Sequence, residues 1–161
     1  MPTNCNECQS FIDETERLFG PILERNGFTL TECDGEREGH ECRVMVSAKI
    51  GWLLFVLQDG AAGSYLGRSD CPLPRSVLIH GTGDYGWYET LTFAEVEAGR
   101  ALMSRQLMAK FVDGQIYDYE WEAGLLAERI DRLFRFLNSY DQEQLQSLML
   151  DRIRKNEGRW D

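Results

Sequence analysis

Basic residues are in short supply in this chain. Lys and Arg number 17 against 27 Asp and Glu, so the formal net charge is −10. Such a surface repels phosphate backbones, and no basic patch stands out against it, so nucleic acid is not expected as a direct ligand. Histidine is scarcer still: His40 and His80 are the two imidazoles. No nucleophile elbow or other local catalytic signature accompanies them. Carboxylates are so abundant that an Asp/Glu pair carries no information by itself, and the expectation is a protein that is not an enzyme. Long apolar runs are missing as well. The most apolar stretch, WLLFVL at residues 52–57, is far shorter than the about 20 residues a membrane-spanning helix needs. Residues 1–10 are polar and lack a basic region followed by an apolar run, which leads to the expectation of a cytoplasmic protein. There is no internal repeat, linker or low-complexity segment, and 161 residues suit a single domain.

The cysteines are five: Cys5, Cys8, Cys33, Cys42 and Cys71. An odd number without a secretion signal points to reduced thiols. Cys33 and Cys42 flank a polar turn and are read as two small buried residues, with a redox pair as the alternative.

Residues 41–58 are what the rest of the chain is organised around. Cys42, Val44, Val46, Ala48 and Ile50 alternate with Arg43, Met45, Ser47 and Lys49, the pattern of a strand with one wet side. Gly51 interrupts. Residues 52–57 then read as a central strand covered on both faces. Asp59-Gly60 is a turn dipeptide, and residues 63–68 can return as a short strand. Before this block, Phe11, Thr15, Leu18 and Ile22 share a helical face in a helix that starts near Ser10 and stops at Asn26-Gly27, with a kink or restart at Pro21. Residues 28–33 alternate as another strand.

After the block comes CPLPR at residues 71–75, a loop. Trp87 and Tyr88 enter a helical region in which Thr92 and Glu95 make a possible capping box. Helical spacing continues from Phe93 to about Val112, with Gly99 as a possible split. Leu126, Ile130, Leu133, Phe134 and Leu137 form one helical face. A last helix, capped by Asp141, sets Leu145, Leu148, Met149, Arg152 and Ile153 on one side. Strands followed by helices predict an α+β fold: an antiparallel sheet at 28–68, covered by the N-terminal helix and the C-terminal helices. The sheet-rich half is about 11–91 and the helical half about 92–157.

Three constellations bear on chemistry. Residues 81–86, GTGDYG, match G-x-G-x-x-G, but aromatic bulk follows where a pyrophosphate turn should become helix, so no cofactor is expected. Cys5 and Cys8 have the spacing of half a zinc site. Only His40 and Cys42 offer a second half, and no metal is expected. Trp87 and Tyr88 stand between Asp84 and Glu89 on a glycine-rich stretch. They read either as packing anchors or as the aromatic centre of a partner-binding patch.

A leading helix ending in LERNGF at residues 23–28, antiparallel strands, and WYETL at residues 87–91 opening a helical half resemble small uncharacterised bacterial proteins that include immunity-like members of toxin systems. The resemblance implies a non-enzymatic module that binds another protein. The acidic charge suits a basic partner. Trp87, Tyr88, Asp84 and Glu89 are then the candidate binding residues. The alternative is a small-ligand or zinc-binding protein that uses the glycine loop or the cysteines.

Overall fold

The computed structural model describes residues 5–71, 86–103 and 119–160. The fold is α+β, with a five-stranded antiparallel sheet whose neighbours in space follow chain order. A 3-10 turn at Cys5–Cys8 leads into α1, Gln9–Arg25. Strands β1 (Thr29–Glu36), β2 (Glu41–Ala48), β3 (Gly51–Gln58), β4 (Ala61–Gly67) and β5 (Trp87–Glu89) follow. Helix α2 is Thr90–Ala98, α3 is Tyr119–Ser139 and α4 is Gln142–Trp160.

Helix α1 buries Phe11, Thr15, Phe19 and Ile22, close to the face read from the sequence. It runs unbroken through Pro21, so the proline causes no restart. Its end is closed where the sequence placed a stop: Gly27 N–H donates to the Glu24 carbonyl and Phe28 N–H to the Leu23 carbonyl. The β3–β4 turn has positive φ at both central residues, 47° at Asp59 and 85° at Gly60, as a tight hairpin with the right-handed strand twist demands.

Strand β3 is the sheet's centre. Leu53, Leu54 and Phe55 are fully buried, so this run is covered on both faces as expected. One face is continuous with the main core, where Val44, Val46, Leu53, Phe55 and Leu66 meet α1 and α3. The other face gathers Met45, Leu54, Val56 and Trp87. The sequence put Met45 on a wet face; it is buried because Leu54 lies opposite it in register. Leu126, Ile130, Leu133, Phe134 and Leu137 of α3 are all buried, as their spacing predicts. In α4, Leu145 and Met149 are buried but Leu148 is exposed, because the docked stripe is narrower than the apolar spacing suggested.

Two boundaries differ from expectation around α2. Trp87 and Tyr88 form strand β5 rather than a helix entry, since Trp87 pairs with Gly67 and Tyr88 with Leu66. Thr92 and Glu95 do not form a capping box, because α2 starts at Thr90 and places them inside it. Glu95 instead accepts hydrogen bonds from the Leu102 amide at 2.8 Å and from Asn156 Nδ2 at 2.9 Å, tying α2 to α4. Gly99, with φ of 70°, terminates α2 in the left-handed conformation. The glycine loop at 81–86 (all but Gly86), the prolines of the 71–75 loop and the helical spacing between 104 and 112 lie outside the described residues.

Candidate functional site

Trp87 and Tyr88 have no accessible surface. As residues of β5 they point to opposite faces of the sheet, Tyr88 into the main core and Trp87 into the second cluster. A partner-binding aromatic must be reachable, so both take the packing role and leave the candidate patch. Asp84 lies outside the described residues. Glu89 lines a cavity.

That cavity has a volume of about 230 Å³ and is lined by Val56, Tyr65, Glu89 and Glu122, among others. It follows from the shortness of β5. Three residues of β5 pair with Tyr65, Leu66 and Gly67, and among the described residues no strand pairs with the Ala61–Ser64 side of that β4 edge. The gap is floored by small side chains, Ala61, Ala62, Gly63 and Ser64. Behind it, the Ser64 and Thr90 hydroxyls share a buried 2.6 Å hydrogen bond. Glu89 enters from the start of α2 and Glu122 from the first turn of α3, where the helix dipole favours a negative side chain.

The electrostatics of the cavity are those of crowded acids. Burial pushes the Glu89 carboxyl above its ordinary value, against the Thr92 side-chain hydrogen bond that favours its charged form, and nearby Glu95 adds to the rise. Burial, then the charges of Glu89 and Glu122, push the Tyr65 phenol up to about 12. Glu122 is itself only 1% exposed. A positive group beside these carboxyls would offset solvation lost to burial. The apolar lining from Val56 and the alanines suits the methylene stem of a lysine or arginine. Sequence reasoning named Glu89 but missed Glu122 and Tyr65. Their only signal was membership in a helix and a strand whose relative placement is tertiary.

A second, larger cavity of about 520 Å³ runs between α1 and the outer strands, lined by Ile12, Leu23, Phe28, Leu30, Val44 and neighbours. It is mostly apolar and holds no constellation that could do chemistry.

The cysteines depart most from expectation. Cys8 and Cys42 form a disulfide, and Cys33 is also disulfide-bonded. The expectation of reduced thiols rested on compartment alone and could not foresee the geometry. The N-terminal 3-10 turn lies on the end of the β1–β2 hairpin and brings the Cα atoms of Cys8 and Cys42 to 5.9 Å, within disulfide range. Cys33 and Cys42 are both buried, but they are diagonal neighbours rather than a pair: Cys33 stands opposite Val44, and Cys42 opposite Gly35. His40 is exposed. Cys71 is a free thiol held up at about 11 by burial and by Asp70, a poor nucleophile at neutral pH. No group of three or more His, Cys, Asp or Glu is arranged to hold a metal among the described residues. No helix among them is long and apolar enough to cross a membrane. No family model, no curated protein and no solved structure matches the chain.

Proposed function

We propose that this protein is a non-enzymatic binding module for a basic protein partner, with a lysine or arginine of that partner seated in the cavity between Glu89 and Glu122. The observation that carries this reading is that a half-buried Glu89 and a buried Glu122 line one cavity with an apolar wall. The net charge of −10 supports it at long range, because an acidic surface draws in a basic partner. The likeness to immunity-like bacterial proteins points the same way. A cytoplasmic setting belongs to this reading. Thiol buffers there keep cysteines reduced, so the disulfides would open and the N-terminal turn would need another bond to hold it.

The test uses short basic peptides as probes. An arginine- or lysine-containing peptide should bind by calorimetry, and the same peptide with neutral replacements should not. Glu122→Gln with Glu89→Gln should weaken binding by roughly thirtyfold or more, the equivalent of about 2 kcal/mol for a desolvated charge pair. Undiminished binding by the folded double variant would remove the cavity from the proposal.

A further inference from the structure

We infer that the cysteines at the N-terminal end of the molecule form a thiolate zinc site when the disulfides are reduced. Three elements converge there. Cys8 comes from the 3-10 turn, Cys33 from β1 and Cys42 from β2. All three are buried, at 1%, 2% and 0% exposure. Diagonal neighbours on an antiparallel pair stand roughly 7–8 Å apart at Cα, with their side chains on one face, so the Cys33 and Cys42 sulfurs project into the same small volume. Cys8 reaches that volume from above, as its bond to Cys42 demonstrates. Cys5 stands three positions before Cys8, and the C-x-x-C spacing alone nominates it as the fourth ligand. The resulting pattern is a C-x-x-C turn set over a cysteine pair from a hairpin, the ligand count of a closed structural zinc site.

The seat of the turn is built for close approach. Gly39 has φ of 87°, and a side chain there would collide with the Glu7 backbone carbonyl. The backbone of the β1–β2 loop therefore lies directly under the residue between the two cysteines of the motif. In the disulfide form the sulfurs are bonded to one another and cannot ligate, and among the described residues no group is arranged to hold a metal in this state. The exchange balances as follows. A dithiol reductant gives two electrons and two protons to each disulfide and becomes a disulfide itself. The four thiols then bind one Zn²⁺ as thiolates and release four protons.

The experiment follows metal content and thiol state together. The full-length protein is reduced with excess dithiol, freed of reductant anaerobically, and titrated with Co²⁺ and then Zn²⁺. We expect about one equivalent of metal, the charge-transfer and d–d bands of a tetrahedral cobalt thiolate, and bleaching of those bands by zinc. The oxidised protein should take up none. Cys33→Ser should lose the spectrum, whereas Cys71→Ser should keep it. If reduction unfolds the chain, zinc should restore the circular dichroism of the oxidised form. A reduced, folded protein that binds no cobalt would overturn the inference and leave the cysteines as disulfide clasps. So would a reduced, unfolded chain that zinc does not refold, or a cobalt spectrum that survives in Cys33→Ser.

Discussion

Glu89 shows how a single side chain can set a pH dependence. Its carboxyl is raised above 4.5 in the folded protein, chiefly by burial. The folded state therefore holds that proton more tightly than the unfolded chain does. The stabilisation is fully present below the unfolded value and is lost as pH rises through the folded value. Glu89→Gln removes this titration while keeping an acceptor for Thr92. The variant and the parent should melt at similar temperatures in acid, and the variant should become the more stable as pH rises above the ordinary carboxylate range. Calorimetric scans across that range check the sign. A variant less stable than the parent at neutral pH would mean that a cation already pairs with Glu89 in the free protein. Residue identity alone could not reveal any of this. Glu89 was legible as a candidate because it stands beside two aromatics, but its surroundings depend on how β5 meets β4 and α2.

At the scale of elements, the sequence was informative wherever a local period decided the outcome. The strand around Val44 and Val46 (Met45 apart, which is buried), the six-residue apolar run of β3 and the apolar face of α3 appear in the fold as expected. It was uninformative where partners lie far apart in the chain. Strand β5 is three residues long, too short to carry a period, and it exists because Gly67 and Leu66 offer it an edge. The Cys8–Cys42 disulfide likewise joins residues 34 positions apart, a separation that no local pattern encodes. These two strands make contrasting predictions. Leu54→Asp puts a charge between both faces of the central strand and should unfold the domain, a loss of several kcal/mol against a typical stability of about 5–15 kcal/mol. Trp87→Ala leaves a cavity at the edge and should cost about 3–5 kcal/mol, while the basic-peptide affinity of the fraction still folded stays unchanged. Chemical denaturation of both variants, with peptide titration of the second, checks the pair. Lost affinity in folded Trp87→Ala would return the aromatics to the binding site.

For the whole molecule, the charge of −10 and the Glu89–Glu122 cavity act at different ranges, and kinetics can separate them. The surface field works before contact, through solvent, and salt screens it. The screening length falls from about 10 Å at 0.1 M to about 3 Å at 1 M. The cavity works after contact, where water has been displaced and screening is weak. Association of a basic partner should therefore slow steeply with added salt in the parent protein. It should slow almost as steeply in the Glu89→Gln, Glu122→Gln variant, which keeps most of the acidic surface. Dissociation should respond the other way, faster in the variant and nearly indifferent to salt in both, since partly buried charge pairs govern the off-rate. Stopped-flow association and surface dissociation measurements over a salt series give the four rates. An association rate that ignores salt would reduce the acidic surface to a solubility device. Equal dissociation rates would mean that the partner's cation rests on the surface acids and never enters the cavity.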